Sequence, residues 1–338
     1  MRPRWHKEVR RVRKRLWRVL REPPVRLCVF LVASLLPSLS RRGLLRLARV
    51  LGALVMALDG RGRRVAAANV RVLFGVRATP RRTRILVAGS YRLAAQVALD
   101  VFWFARRTRD RVETWTSLDP VLGVDLVSIR PALVVAAHYG NWEIMLLAAA
   151  GLARLPWLVV VKEQWSPAIT ALLNRQRCAL GGRVVFPEGA LRVMLKELRA
   201  GGVVGFLLDQ HTGPHEGGLW VDFGGLPATV SGGPALLARR APSPVLLVTV
   251  RAFKNGRYVL ASCARMCLAE NETDTAFTQR MIDGLVRAVR RHPSQWMLMY
   301  RRWTPVAPGD DPTRYPFYAK FRPARVAIDT VPSAGQST

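Results

Sequence analysis

An imidazole and a carboxylate stand five positions apart in His138-Tyr139-Gly140-Asn141-Trp142-Glu143. On one continuous helix they would be rotated by about 140° and could not converge, so the pair does chemistry only across a turn. The flanking sequence supplies one: an apolar β-type run, Ala132 to Ala137, leads in, and an apolar helical run, Ile144 to Leu152, leads out. Gly140 then makes the tight turn, Asn141 caps the helix, and Glu143 lies in its first turn, where the dipole favours a carboxylate. From there Glu143 is expected to reach back to the imidazole. A carboxylate on one ring nitrogen fixes the tautomer and raises the basicity of the other, which makes His138 a general base. The plain alternative is a histidine ending a strand and a glutamate on a solvated helix face.

Such a turn needs a sheet behind it. Short apolar runs recur at 157–161, 184–186, 203–208 and 245–250, and the first four runs, counting 132–137, are separated by helical segments near 141–153, 167–180 and 190–200. Near-continuous apolar strands alternating with helices predict an α/β fold with a mixed, largely parallel sheet covered on both faces. Residues 258–263 add a hairpin partner, and 274–292 a closing helix.

The chain of 338 residues has 53 Lys+Arg against 22 Asp+Glu, a formal charge of +31. Only six of those cations are lysines, so the chain is built to meet anions with arginine, the cation that grips phosphate bidentately. At 50% hydrophobic residues it is too apolar for a disordered basic tail. A nucleic-acid binder would explain the charge but not buried β-runs behind a His/Glu turn. The four cysteines, Cys28, Cys178, Cys263 and Cys267, match neither a zinc site nor a dense disulfide framework. Residues 1–26 are strongly basic and run into the apolar stretch Leu27 to Leu39, which Pro37 interrupts and which is short for a membrane span. Leu44, Leu47, Ala48, Leu51, Leu54, Val55 and Leu58 then follow at helical spacing. Residues 1–60 are accordingly expected to form N-terminal membrane-associated helices, a basic and amphipathic anchor on an anionic membrane surface; ordinary core helices are the alternative. Residues 61–315 form the main domain, and 316–338 a loose, proline-bearing tail.

The block from Ala137 to Glu143, followed by Leu207-Leu208-Asp209-Gln210, Val221-Asp222-Phe223-Gly224-Gly225 and His292-Pro293-Ser294-Gln295-Trp296 with Arg301-Arg302-Trp303, resembles the lipid A late acyltransferases (lauroyl/myristoyl acyltransferases). These are a branch of the lysophospholipid acyltransferase superfamily. Upstream, Arg64 to Phe74 looks like their N-terminal Arg/Asn signature. The resemblance spans roughly residues 25 to 315. It implies a membrane-bound bacterial enzyme on the cytoplasmic face of the inner membrane. Such an enzyme moves a fatty acyl group from an acyl carrier protein or CoA thioester, with no other cofactor or metal, to a hydroxyl of a phosphorylated glycolipid. In the family the histidine and carboxylate of this block are catalytic, which carries over to His138 and Glu143. The chain departs from the pattern at Asp222 before Phe223 and at Met297-Leu298-Met299-Tyr300.

A thioester is already activated, so no nucleophilic serine is required, and GxSxG is absent. Backbone N–H groups around Gly140 to Trp142 are candidates for the oxyanion. Further substrate contacts are expected from Asn141, from Arg175 or Arg177, from Asp209 and Gln210 at a strand end, and from Arg301 and Arg302 as phosphate ligands. A solvated helix face is the alternative for Arg175 and Arg177, and Gln295 and Trp296 read as packing. Asp209 faces the same rim as His138 and can order an arginine. Phe186-Pro187-Glu188-Gly189 copies a glycerolipid-branch motif but reads as a strand-end turn. His211 and His215, near Glu216, lack metal-ligand spacing on a Gly/Pro loop. A lipid esterase, or an acyltransferase on phosphatidylinositol mannosides, remains an alternative.

Overall fold

The computed structural model describes residues 22–155 and 157–320. Most of the basic leader expected to help anchor the chain, and the tail beyond residue 320, lie outside the described residues. The chain begins with helices: α1 (22–35), α2 (Arg41–Leu58), α3 (Gly60–Phe74), α4 (Pro80–Trp103), α5 (Thr108–Trp115) and α6 (Pro120–Ser128), with a short strand β1 (Thr116–Leu118) between the last two. Alternation follows, as the apolar runs predict: β2 (Ala132–Ala136), α7 (Trp142–Leu152), β3 (Trp157–Val160), α8 (Pro167–Cys178), β4 (Arg183–Val185), α9 (Ala190–Arg199) and β5 (Val203–Leu207). A two-stranded hairpin, β6 (Gly218–Asp222) and β7 (Pro227–Ser231), then leads through α10 (Gly233–Arg240) to β8 (Val245–Ala252), β9 (Tyr258–Met266) and α11 (Asp274–Arg291).

The main sheet has seven strands in the order β1-β9-β8-β2-β5-β3-β4. Every neighbouring pair is parallel except β8 and β9, which form the expected antiparallel hairpin. The fold is therefore α/β with a largely parallel sheet. All five residues of β2 are buried, as a central strand covered on both faces requires. One apolar layer packs Leu133, Val135, Val204 and Leu247 against Met281 and Leu285 of α11. The other packs Val134, Val203 and Leu246 with Leu146 and Leu147 of α7 and with Leu44 of α2.

The amphipathic stripe of the N-terminal region is divided. Leu44, Ala48 and Gly52 face inward, and an added Cβ at Gly52 would lie 2.7 Å from the Arg92 backbone, so α2 sits almost in contact with α4. Val50, Leu54, Val55 and Leu58 remain exposed, as do Leu27, Phe30, Leu31 and Leu35 of α1. The boundary expected at residue 60 thus falls inside a packed helical layer, and half of the expected anchor stripe is core. Helix α4 is long and apolar enough to cross a membrane by length and composition. However, Ser90, Gln96 and Asp100 are buried on it, and Ser90 donates to the Trp296 carbonyl at 2.6 Å, so it serves this fold as a core helix.

The segment expected to be loose from residue 316 is pinned at its start. Tyr318 is buried and its hydroxyl donates to Asn69 Oδ1, while Asn69 Nδ2 donates to the Leu298 and Tyr300 carbonyls at 2.8 and 2.7 Å. The asparagine of the N-terminal signature is therefore a clamp on the C-terminal segment.

Candidate active site

The site forms at the carboxyl ends of β2 and β5. These strands are parallel neighbours with Ala136 opposite Leu207, so the residues two positions further along each strand come side by side. They are His138 and Asp209. His138 Nδ1 lies 2.7 Å from Asp209 Oδ1. The aspartate is wholly buried and the imidazole is 14% exposed. A carboxylate only accepts hydrogen bonds, so a proton sits on Nδ1, and in the neutral ring the lone pair is on Nε2. Gln210 Nε2 approaches that nitrogen at 3.2 Å.

Asp209 is itself held on its second oxygen. Trp296 Nε1 donates to Oδ2 at 2.7 Å, and Arg302 Nη2 at 3.3 Å. Burial disfavours the charge, but His138 and Arg302 beside it prevail, and the carboxyl is held well below the usual carboxylate range. Arg302 is 1% exposed and lies over the rings of Trp296, Phe223 and Tyr300, 4.4, 4.7 and 5.2 Å from their centroids. Its expected role as a phosphate ligand is corrected by this burial: it is the cation that balances Asp209. Trp296, expected only to pack, is a hydrogen-bond donor to the same carboxylate.

The turn after β2 has the expected shape. Gly140 adopts φ +61°, and a Cβ there would fall 1.3 Å from the Val250 carbonyl oxygen, so only glycine fits between the turn and β8. Its N–H donates to the Gln295 carbonyl at 2.8 Å and is thereby removed from the expected oxyanion donors. Met297 N donates to the His138 carbonyl at 3.1 Å, so the 295–297 segment holds the turn from one side. Asn141 caps α7, its Oδ1 accepting from Ile144 N at 3.2 Å. Its Nδ2 donates to Asp100 Oδ2 at 3.0 Å and its side chain is buried; it supports the turn, where a substrate contact had been expected. The N–H groups of Trp142 and Glu143, in the first turn of α7, have no partner within the helix.

Glu143 does not curl back to the imidazole. It forms a two-pronged pair with Arg177 of α8, Nε to Oε2 at 2.9 Å and Nη2 to Oε1 at 2.8 Å, with both side chains about seven-eighths buried. The first turn of α7 presents Trp142 to the histidine, the two rings 5.1 Å apart and edge to face, and carries the Glu143 carboxylate away toward α8. Arg177 is thus drawn into the site by Glu143, while Arg175, two residues earlier and about 200° around the helix, is exposed, and Arg301 is half-buried.

Beside the Glu143–Arg177 pair is a narrow cavity of about 70 Å³ lined by Trp142, Leu146, Val159, Gly205 and Phe206. Val160 and Phe206 also line a larger cleft of about 1040 Å³, which is walled by α9 and α10 on the other face of the sheet. Phe186, Pro187 and Glu188 border that cleft, in a turn at the end of β4 as the sequence predicts. His211 Nδ1 bonds Thr229 Oγ1 at 2.6 Å, and His215 is exposed. Sequence reasoning passed over Asp100 and Arg41, which lie under the turn; the available signal was a lone carboxylate inside the apolar run Val97 to Trp103.

No curated protein matches the chain. Among solved structures it is similar to the 1-acyl-sn-glycerophosphate (LPA) acyltransferase PlsC from Thermotoga maritima, at 14% identity and a TM-score of 0.38, covering 76% of this chain and 99% of that one. The family model described as bacterial lipid A biosynthesis acyltransferase matches residues 13–304. That span includes His138 and Glu143 as well as Asp209, Trp296 and Arg302, and by it the chain belongs to the bacterial lipid A biosynthesis acyltransferases.

Proposed function

We propose that this acyltransferase moves a fatty acyl group from an acyl carrier protein or CoA thioester to a hydroxyl of a phosphorylated glycolipid such as a lipid A precursor. It does so at the cytoplasmic face of a bacterial inner membrane, with His138 as the general base. The observation that carries this reading is the 2.7 Å contact of His138 Nδ1 with the buried Asp209 carboxylate. It leaves Nε2, which Gln210 Nε2 approaches at 3.2 Å, as the nitrogen that acts as base.

Nε2 takes the proton of the acceptor hydroxyl as its oxygen attacks the thioester carbonyl carbon. Asp209 stabilises the imidazolium that forms. The tetrahedral oxyanion is met by the N–H groups of Trp142 and Glu143 at the α7 N-terminus. The C–S bond then breaks, and the proton held by His138 passes to the departing sulfur. Glu143 acts through Arg177, holding the guanidinium beside the apolar cavity, where its remaining N–H groups donate to donor or acceptor phosphate. Arg175 and Arg301, which are accessible, serve the acceptor phosphates, and Gln210 steers the hydroxyl toward Nε2. The exposed apolar residues of α1 and α2, with the arginines among them, support attachment to an anionic membrane surface.

The test is product analysis by mass spectrometry with acyl carrier protein and CoA thioesters offered separately to a lipid A precursor and to a phosphatidylinositol mannoside. His138→Ala should lower transfer by about 10²–10⁴-fold. Acyl release that proceeds equally well without any lipid acceptor would make the protein a thioester hydrolase and overturn the proposal.

A further inference from the structure

Beneath the turn that carries His138 is a buried carboxylate that the mechanism above does not use. Asp100, near the end of α4, is 1% exposed. Its Oδ2 accepts from Asn141 Nδ2 at 3.0 Å and from the Tyr258 hydroxyl, and the Arg41 guanidinium spans both of its oxygens. Arg41, at the start of α2, is also buried, and donates from Nη2 to the Gly256 carbonyl in the β8–β9 turn at 2.7 Å. Gln96 Nε2 completes the cluster by donating to the Tyr258 hydroxyl at 2.6 Å. Elements from four parts of the chain meet at this one carboxylate.

Packing alone does not account for such a cluster, because a buried ion pair loses much of its attraction to desolvation and apolar side chains of the same volume often serve stability as well. What apolar side chains would not supply is direction. Asn141 has one acceptor and one donor end, and the cap on Ile144 N requires the acceptor to face α7. A carboxylate, which only accepts, compels the donor end to face Asp100. The amide is therefore locked in the one orientation that caps the helix, three residues from His138.

We propose that Asp100, charge-balanced by Arg41, is a positioning residue for acyl transfer, fixing Asn141 and through it the turn that carries His138 and the N–H groups at the start of α7. The inference rests on the reading of His138 as the base. Asn141→Ser is the discriminating variant in the full-length protein, because serine still caps a helix but has no amide to bond Asp100, and it leaves the Asp100–Arg41–Tyr258 cluster whole.

Asn141→Ser should lower kcat on the order of 10²-fold with KM for both substrates unchanged and a cooperative unfolding transition retained. Asp100→Asn should lower kcat similarly, and the combined variant should fall no further than the worse single one, since both changes break one connection. Asn141→Ser with wild-type kcat, or losses that multiply in the combined variant, would overturn the inference even if Asp100→Asn fails to fold. His138→Ala measured alongside separates the two readings: if it is inactive while Asn141→Ser is fully active, only the positioning role fails. If His138→Ala is itself fully active, the base assignment fails and the inference with it.

Discussion

His138 and Asp209 are 71 positions apart in the chain, yet Nδ1 and Oδ1 lie 2.7 Å from one another, because β2 and β5 are parallel neighbours in register and each residue is two positions past the Ala136–Leu207 pair. The partner of the imidazole is thus chosen by strand order. The carboxylate five residues along the chain, Glu143, turns instead to Arg177.

This exchange of partners ranks the acidic residues. Asp209→Asn should reduce kcat/KM by about 10²–10⁴-fold, since a neutral amide neither fixes the tautomer nor stabilises the imidazolium. Combined with His138→Ala it should cost nothing more, as the two act as one unit. Glu143→Gln should be milder. Steady-state kinetics of the four variants decide it, and a Glu143→Gln loss larger than that of Asp209→Asn would restore Glu143 as the partner of the imidazole.

The Glu143–Arg177 pair can be isolated by a double-mutant cycle. Glu143→Gln and Arg177→Gln should each destabilise the protein, because each leaves a largely buried charge without its counterpart. The double variant should be more stable than the sum of the singles predicts, with a coupling of about 0.5–3 kcal/mol. Strict additivity in denaturant unfolding would show that the contact is energetically idle.

The depressed pKa of Asp209 links stability to acid pH. Its cause is that burial, which disfavours the charge, is outweighed by His138 and Arg302. Between the folded and unfolded pKa values the unfolded chain binds more protons, so stability rises with pH there. The contribution is complete above the ordinary carboxylate value of about 3.9 and is lost as pH falls below it. The difference in unfolding free energy between wild type and Asp209→Asn should therefore be constant near neutrality and shrink only under strongly acid conditions. A difference that already shrinks between about pH 7 and pH 5, well above that carboxylate value, would show that the carboxyl is not held low.

Gly140→Ala should be inactive and less stable by at least about 2 kcal/mol, from left-handed strain together with the clash at the Val250 carbonyl. The neighbouring α2 offers a contrast on the membrane question. Leu54→Glu with Leu58→Glu, both exposed, should weaken binding to anionic vesicles without moving the melting temperature, whereas Leu44→Ala, at 0% exposure, should cost about 2–5 kcal/mol of stability. Unchanged vesicle binding in the first variant would remove α2 from the membrane contact.

Local pattern was enough for the elements that carry the site. The apolar runs at 132–137 and 203–208 are strands, Gly140 makes the turn and Asn141 caps α7, because these depend on side-chain period, backbone freedom and a cap within a few residues of one another. What each of those residues touches depends on which strands are neighbours. Nothing in the runs themselves says that β5 lies between β2 and β3, and that placement gives His138 its carboxylate. Arg302 looked like a surface phosphate ligand because arginine in an arginine-rich chain reads as solvated; its burial under Trp296 and Phe223 is a property of the folded C-terminal segment. The stripe on α2 shows the same division. Its helical period was written in the sequence, but whether Leu44 or Leu58 met protein was decided only by the approach of α4, since an apolar face records that something must cover it and not what does.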